Sequence, residues 1–115
     1  MTRNNGTTPG LNTPTHIDTP PAKRQYLARI LKAFPGTSSA AQCQRLCEAL
    51  GRYSLSTFEA MRYLDCYHAP ARVMQLRDEG VGIDTQWVQA VTESGERHRV
   101  GLYVLAPGAK GRVNG

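Results

Sequence analysis

The sequence lacks the features that assign a chain to the membrane, secreted or disulfide-stabilised classes of protein. It contains no run of about 18 apolar residues, which a membrane-spanning helix needs, and no apolar segment typical of a secretory signal near its N-terminus. Its three cysteines are an odd number without the spacing of a disulfide framework. These absences predict a cytoplasmic protein whose cysteines remain reduced thiols.

Acidic residues are also scarce, and the excess of positive charge is unevenly distributed. Fourteen Lys and Arg against nine Asp and Glu give a net charge of +5, which favours anionic partners without identifying one. Residues 22–34 carry four basic residues and no acid, and Lys110 and Arg112 lie near the C-terminus. Residues 54–80, in contrast, contain three arginines and four acidic residues. Contact of this middle segment with nucleic acid therefore has to depend on particular side chains.

Both ends of the chain contain few large apolar residues. Residues 1–21 have only two branched aliphatic side chains, and residues 106–115 have one. Segments of this composition bury too little apolar surface to offset the entropy lost on ordering. The sequence therefore predicts a disordered N-terminal arm over residues 1–21, a single domain over residues 22–105 and a flexible basic tail over residues 106–115.

Two amphipathic helices are predicted in the first half of this domain. The first covers residues 22–34, after a proline pair that suits a helix start, with Thr19 as its N-cap. Its apolar stripe has to be buried either in the domain itself or against a second copy of the chain. The buried face of the second helix is predicted to consist of Cys43, Leu46, Cys47 and Leu50.

A capping box predicts the third helix. Ser56 and Glu59 have the spacing at which the serine hydroxyl and the glutamate carboxylate each accept from the other residue's backbone N–H. The chain is then predicted to break at Asp65-Cys66, where Asp tolerates the left-handed region. The residues of this helix that are predicted to face inward are Phe58, Met61 and Leu64.

The fourth helix is predicted over residues 68–79 and ends at Gly80, which suits a left-handed C-cap. Its inner side is predicted to consist of Val73, Met74, Leu76 and Arg77. Arg77 is expected to be structural, with a packed stem and a head paired to an acid. The opposite side of the helix carries a strip of neighbouring polar residues, His68, Arg72 and Gln75.

The periodicity changes from that of a helix to that of a strand from Ile83 onward. Ser94-Gly95 has the sequence of a two-residue hairpin loop, because glycine supplies the positive φ that such a turn requires. In this register Glu93 faces Glu96, and the core face is predicted to consist of Trp87, Val91, His98, Val100 and Leu102. The solvent-exposed face is predicted to carry Arg97, Arg99 and Tyr103.

The order of these elements, short helices followed by a two-stranded hairpin, is that of a winged helix-turn-helix, so the predicted fold class is mainly α with a small β-hairpin. Ala71–Val88, together with Phe58-Glu59-Ala60, also resembles the winged helix-turn-helix domains of many phage and prophage proteins, in which a pattern like R-[IV]-x-x-L-R-x-x-G-x-x-I-x-T recurs. The resemblance covers roughly residues 40–105. It departs in the break, where Asp65-Cys66 replaces the glycine common in this kind of turn.

The resemblance implies a sequence-specific double-stranded DNA-binding protein, such as a small transcriptional regulator or a recombination or replication accessory factor of a phage or mobile element. The helix over residues 68–79 would lie in the major groove, where Arg72 suits a guanine edge and Gln75 an adenine edge. The hairpin over residues 83–105 would contact phosphates. The predicted DNA-binding residues are His68, Ala71, Arg72, Gln75, Arg97 and Arg99.

Two alternatives concern partners. The first is a winged-helix module that binds protein, for instance a phage-encoded inhibitor or adaptor, because the acidic middle segment is unhelpful near phosphates and a fold alone does not determine function. The second is a homodimer through helix 22–34, which would place two reading helices one DNA turn apart.

Metal binding and catalysis are not predicted. A zinc site would have to use Cys43, Cys47, Cys66 and His68, whose spacing is not that of a zinc knuckle, so no cofactor is expected. The sequence contains no paired carboxylates at useful spacing, no glycine-rich phosphate loop and no recognisable nucleophile with a histidine and an orienting acid. Neither an enzyme activity nor a small-molecule substrate is therefore expected.

Overall fold

The computed structural model describes residues 15–16 and 19–108, which form four helices and a small sheet. This confirms the predicted fold class. Within these described ranges no helix is both long and apolar enough to cross a membrane. The elements in chain order are β1 (Thr15–His16), α1 (Pro21–Ala33), α2 (Ser39–Leu50), β2 (Leu55–Ser56), α3 (Thr57–Leu64), α4 (Ala69–Asp78), β3 (Ile83–Val91) and β4 (Arg97–Leu105).

The sheet is built around the β3–β4 hairpin. These two strands are antiparallel, β2 pairs antiparallel with β4, and β1 pairs parallel with β3, which gives the order β1-β3-β4-β2. Of the predicted arm over residues 1–21, Thr15–His16 is thus a strand, residues 19–21 lead into α1, and the rest lies outside the described residues. Of the predicted tail, Ala106 donates its N–H to the Gly82 carbonyl at 2.9 Å, and residues 109–115 lie outside the described residues.

The N-terminus of α1 differs from the prediction. Pro20 occupies the capping position and makes no side-chain hydrogen bond. Thr19 is buried, and its hydroxyl donates to a carboxylate oxygen of Glu59 at 2.7 Å. The predicted Thr19 cap was therefore wrong, because a charge-assisted bond to a distant buried carboxylate takes the hydroxyl that capping would have used.

The apolar stripe of α1 is largely covered by the chain's own helices. Leu27 and Ile30 are buried in the main core, where α1 packs against α2 and α3. Leu31 of the same stripe is exposed, and the homodimer through helix 22–34 stays a prediction.

α2 buries its predicted face and an arginine as well. All four predicted positions are buried, which confirms the assignment of Cys43, Leu46, Cys47 and Leu50. Arg45 is fully buried, and its Nε donates to the Leu64 carbonyl at 2.8 Å. Its Nη1 donates to the carbonyls of Phe34 and Gly36 at 2.6 and 2.9 Å. Arg45 thereby joins the α1–α2 loop to the end of α3 in the interior, where an unpaired charge would be costly.

α3 begins at the predicted capping box. The Ser56 hydroxyl accepts from the Glu59 N–H, and the Glu59 carboxylate accepts from the Ser56 N–H, both at 3.0 Å. Leu64 is buried as predicted, whereas Met61 is exposed. The inward position of Met61 was wrong, because the buried face of the helix is centred on Glu59, Ala60 and Leu64.

The turns on either side of α4 follow the predicted chemistry. Asp65 has a φ of 53°, so it adopts the left-handed conformation that glycine would otherwise supply, and the following Cys66 N–H donates to the Ala60 carbonyl at 3.0 Å. Gly80, with a φ of 97°, ends α4. The Val81 N–H donates to the Leu76 carbonyl at 3.0 Å, which is the hydrogen bond of a Schellman motif.

The hairpin loop is one residue longer than predicted. Thr92 donates its N–H to the Glu96 carbonyl at 3.0 Å, and Gly95 donates to the Thr92 carbonyl at 2.8 Å, so residues 93–95 form the loop. Gly95 has a φ of 85° and occupies the left-handed last position of a three-residue loop. The predicted two-residue loop was wrong, because a glycine in this position is common to both loop types.

The observed register changes the pairing and the face of Trp87. It pairs with Gly101 and is 52% exposed, because a shift of one residue moves it to the face opposite that of Val100. Val100 is buried as predicted. Tyr103 is buried and His98 is exposed, which contradicts the predicted faces, because the buried face changes along the hairpin.

The buried side of the hairpin also changes along its length. Near α4, Ile83 and Tyr103 lie on one face of the hairpin and belong to the main core. Farther out, the buried side chains lie on the other face and form a second cluster with Phe58, namely Val88, Ala90 and Val100. Strong twisting of a two-stranded ribbon allows one hairpin to cover the helices with both faces in turn.

Candidate nucleic-acid interface

The outer face of α4 is exposed and mostly apolar. The buried face of the helix consists of Ala69, Val73 and Leu76. The opposite, exposed face consists of Tyr67, Pro70, Ala71, Met74 and Asp78. Tyr67 is 66% and Met74 is 56% exposed, so the prediction that Met74 faces inward was wrong. An α-helix with a bare outer face has the width that the DNA major groove admits.

The polar strip that the sequence predicted lies at the flank of this face. His68 is exposed at the N-cap position and makes no side-chain capping hydrogen bond. Arg72 and Gln75 are half-buried, and the Arg72 carbonyl accepts a weak hydrogen bond from the Cys43 thiol of α2 at 3.9 Å. Ala71, in contrast, lies in the middle of the exposed face.

The head of Arg72 lies near the α3–α4 turn. Its Nε is buried and has no hydrogen-bond partner among the described residues. Burial raises the pKa of the nearby Cys66 thiol to about 11, although the positive charges of Arg72 and Arg45 act in the opposite direction. Cys66 is therefore a neutral, unreactive thiol. Arg72 gains a hydrogen bond if its head turns toward an external acceptor, because an unsatisfied buried donor is costly.

Arg77 holds the hairpin beside α4. Its Nε and Nη2 both donate to the Ile83 carbonyl, at 2.9 and 2.6 Å, and Nη2 also donates to the Thr85 hydroxyl at 3.0 Å. The predicted structural role is confirmed, but Arg77 is exposed and does not lie on the inner side of the helix, and its partners are a carbonyl and a hydroxyl in place of an acid. These bonds fix the base of the hairpin against the C-terminal half of α4.

The outward face of the hairpin carries exposed arginines and a tryptophan. Arg97 and Arg99 are exposed, as predicted. The Arg99 guanidinium lies 4.6 Å from the centroid of the Trp87 ring, which is a cation–π contact. Because Gly101 pairs with Trp87, no side chain directly across the ladder covers the indole. Trp87 was predicted to lie in the core, and the register of a three-residue loop would have placed it on this exposed face.

The tip of the hairpin is attached to α3. Arg62 at the end of α3 forms an exposed salt bridge with Glu93 in the loop. The ring of His98 lies edge-on to that of Phe58, with centroids 6.1 Å apart. Two contacts therefore restrain the outer half of the hairpin relative to the helices.

The molecule thus presents the exposed outer face of α4 with an arginine-bearing hairpin held beside it. The sequence matches the winged helix-turn-helix domain family over residues 41–108, which is more than half of the chain. The chain belongs to this family. Comparison with curated proteins and with solved structures gave no match.

The winged helix-turn-helix assigns roles to these elements. Helices α3 and α4 form the helix-turn-helix, and the β3–β4 hairpin is the wing. Such domains typically bind DNA and have no catalytic activity of their own, so membership of the family supports binding of double-stranded DNA. The matched segment begins inside α2, and α1 precedes it.

The cysteines of this winged helix-turn-helix belong to its core. Cys43, Cys47 and Cys66 are buried free thiols in the main apolar cluster. Among the described residues, no three His, Cys, Asp or Glu side chains are arranged to hold a metal ion. The histidine considered with them, His68, is exposed at the start of α4.

A buried ion pair joins α1 to the helix-turn-helix. Lys23 of α1 lies 3.0 Å from a carboxylate oxygen of Glu59, and both side chains are almost fully buried. Burial by itself raises the pKa of Glu59, but hydrogen bonds from the Ser56 backbone, Thr19 and Lys23 outweigh it, so the pKa is lowered. The Ser56 partner is local and was predicted from the sequence, whereas Thr19 and Lys23 are distant in sequence and were not predicted.

Proposed function

We propose that this protein binds double-stranded DNA sequence-specifically, with α4 in the major groove and the wing against the phosphate backbone. The observation that carries the proposal is the geometry of α4. Its outer face, from Tyr67 to Asp78, is exposed, and Arg77 holds the wing alongside it.

The side chains on the outer face of α4 and the half-buried ones at its flank suggest how bases would be read. Gln75 can form two hydrogen bonds with an adenine edge, and Ala71 and Met74 can contact thymine methyl groups. His68 and Arg72 flank this face and would contact phosphates or a guanine edge. A recognition face with this composition favours a site rich in A·T pairs. The wing would position the domain through phosphate contacts of Arg97 and Arg99.

The proposal is tested by selecting bound duplexes from a random pool and measuring affinity by fluorescence anisotropy. We expect Gln75→Ala to lower the preference for the selected site about tenfold, since a bidentate base contact contributes roughly 1–3 kcal/mol of discrimination. Gln25→Ala, at an exposed position of α1, is the matched control and should change nothing. Failure to enrich any duplex, or an equal loss on all duplexes for Gln75→Ala, would contradict the proposal.

Arg97→Ala and Arg99→Ala test the role of the wing. Each should weaken binding to selected and random duplexes alike and reduce the salt slope by about 1, because one phosphate contact is lost. A loss of site preference in either variant would instead assign base reading to the wing.

The proposed biological role is that of a small transcriptional regulator, or of a recombination or replication accessory factor in a phage or mobile element, acting in the cytoplasm. The support for it is the sequence resemblance of Ala71–Val88 to such proteins. A homodimer through helix 22–34 is a separate proposal with less support, because Leu27 and Ile30 of that helix pack within their own chain and only Leu31 of the stripe is an exposed large apolar side chain.

A second candidate function is favoured by the apolar character of α4. Tyr67 and Met74 are exposed large side chains on a face that also carries Asp78, and protein interfaces are enriched in such aromatic and Met residues. In this case the exposed face of α4 would bind a protein. A gel shift with random duplex at low salt distinguishes the two, because a protein-binding module should show weak affinity at most.

A further inference from the structure

A cluster of tyrosines and arginines lies where α1 meets the end of α2. The rings of Tyr26 and Tyr53 pack with their centroids 5.6 Å apart. The Arg52 guanidinium lies 4.9 Å from the centroid of Tyr26 and 5.8 Å from that of Tyr53. The Arg29 guanidinium lies 5.7 Å from the centroid of Tyr26. These four residues are called the basic corner below.

The positive charge of the basic corner is not neutralised by the described residues. Arg29 and Arg52 are both exposed, and neither forms an ion pair or a side-chain hydrogen bond within the described part of the chain. Residues 22–53 contain a single acid, Glu48, which is likewise in no ion pair there. Both guanidinium groups lie near the Tyr26 ring, so an anionic partner at this corner would be stabilised by two positive charges.

The ring contacts of the guanidinium groups also favour a particular kind of anion. A guanidinium that contacts a ring through its face keeps its N–H donors in the plane of the group, available to another partner. Arg29 and Arg52 contact the tyrosine rings without donating a side-chain hydrogen bond to any described residue, so their N–H donors are available to an external partner. Two in-plane N–H groups match two oxygens of a phosphate, which is why arginine is favoured at phosphate sites.

The surroundings favour nucleic acid over a lipid surface. An interfacial membrane site needs apolar side chains beside its cations. Leu31, an exposed large apolar residue of α1, lies two positions from Arg29 and therefore on a different side of the helix. Closely spaced arginines on aromatic rings suit a phosphodiester backbone.

We propose that the basic corner is a second phosphate-binding surface, which holds the nucleic-acid backbone beyond the segment that α4 contacts. The inference rests on the proposed function, because the partner is the same DNA. The corner uses α1 and the residues that follow α2, which carry none of the side chains assigned to α4 or the wing. Its phosphates are therefore additional to theirs.

The test compares a double variant and a control variant on a long random-sequence duplex over a series of salt concentrations. Arg29→Gln/Arg52→Gln should reduce the salt slope by about 2 and lower the affinity roughly tenfold, because two phosphate contacts are lost. Lys32→Gln removes one charge at an exposed position of α1 without a ring contact and should change the slope by less than about 0.5. Thermal unfolding of both variants checks that they fold.

A charge-preserving variant separates a binding role from a folding role. Arg29→Lys/Arg52→Lys should recover most of the salt slope, and recovery supports the proposal even if the Gln variant unfolds at a lower temperature. A Lys variant that binds as weakly as the Gln variant and also unfolds at as low a temperature would assign the arginines to folding and overturn the inference.

The remaining outcomes separate this inference from the proposed function. If the wild type binds duplex and the Arg29→Gln/Arg52→Gln variant has an unchanged slope, or the control loses as much, only the basic corner is refuted. If the wild type binds no duplex, the proposed function fails as well. Binding of the wild type, but not of this variant, to phosphatidylserine vesicles in place of DNA would assign the corner to a membrane surface and overturn the nucleic-acid assignment.

Discussion

At the scale of single residues, Trp87 is a direct reporter of the wing. It is the only tryptophan in the chain, and half of it is exposed beside Arg99. We expect native emission typical of a solvent-exposed indole, with a small shift when the protein is unfolded in urea. Emission typical of a buried indole would contradict the exposed placement and favour the register in which Trp87 faces the core.

The same indole tests whether the wing approaches DNA. Addition of a duplex that the protein binds should change the Trp87 emission, because Arg99 would move from the ring toward a phosphate. Arg99→Ala should abolish most of this change while leaving the folded spectrum similar. An emission that is constant on saturation with duplex would show that this face of the wing stays free.

Glu59 is expected to make stability sensitive to acid. Its folded pKa is lowered from an ordinary value of 4.5, so its contribution to stability is complete above that value and is lost as the pH falls through the folded pKa. The free energy of unfolding should therefore fall more steeply below about pH 4.5 in the wild type than in Glu59→Gln. If the free energy of unfolding of the two proteins fell equally steeply at acid pH, this expectation would be contradicted.

Removing this carboxylate should also be costly at neutral pH. Glu59→Gln leaves Lys23 buried without an opposite charge, which we expect to destabilise the fold by about 3 kcal/mol in urea denaturation. Glu48→Gln, an exposed glutamate on α2, is the matched control and should change stability little. Equal effects of the two substitutions would show that the buried pair has no special role.

Local chemistry at this site was predictable, and its long-range partners were not. The capping box of Ser56 and Glu59 depends on a spacing of three residues, which the sequence displays directly. Thr19 and Lys23 contact Glu59 from 40 and 36 residues away, and no periodicity encodes that. For the same reason, Arg45 could not be recognised as a buried side chain, since arginine is usually exposed.

At the scale of elements, the helices were predicted well because each combines an apolar stripe with a recognisable start and end. The hairpin register was predicted wrongly, because the sequence fits two loops equally well. Glu93-Ser94-Gly95 suits a three-residue loop, and Ser94-Gly95 suits a two-residue loop. The two-residue loop would have placed Glu93 opposite Glu96, an unfavourable pair of like charges. That repulsion was the sequence signal for the longer loop.

The exposed face of α4 was predicted incorrectly for a different reason. Met74 was expected inside because apolar side chains usually line the buried face of a helix. In the structure the core contacts come from Ala69, Val73 and Leu76, and Met74 lies on the outer side. A functional surface that is itself apolar therefore cannot be separated from a core face by periodicity alone.

The C-terminus of α4 depends on the conformation of Gly80. A Cβ at Gly80 would meet nothing within 4 Å, so the cost of Gly80→Ala is conformational and not steric. We expect a loss of about 1 kcal/mol in urea denaturation, because an L-residue is strained at a φ of 97°. Gly80→Asn should cost less, since Asn tolerates the left-handed region. A neutral Gly80→Ala would indicate that α4 can end differently.

At the scale of the whole molecule, the folding unit is larger than the segment that matches the family. The match begins at residue 41, yet Leu27 and Ile30 of α1 are part of the main core, and Lys23 pairs with Glu59 of α3. The pairing of β1 with β3 adds a further contact from before the matched segment. The helix-turn-helix is therefore stabilised by a helix that lies outside the segment matched to the family.

A fragment comparison tests this dependence on α1. Residues 36–108 keep α2, α3, α4 and the wing, but they lose the burial of Leu27 and Ile30, each of which contributes about 1.5–3 kcal/mol. Small domains are stable by roughly 5–15 kcal/mol, so we expect this fragment to unfold at much lower urea than residues 15–108, or not to fold cooperatively. A peptide of residues 15–35 added in trans should restore part of the stability, because it supplies Lys23 to the buried Glu59. Equal stability of the two fragments would show that α1 is an appendage and not part of the core.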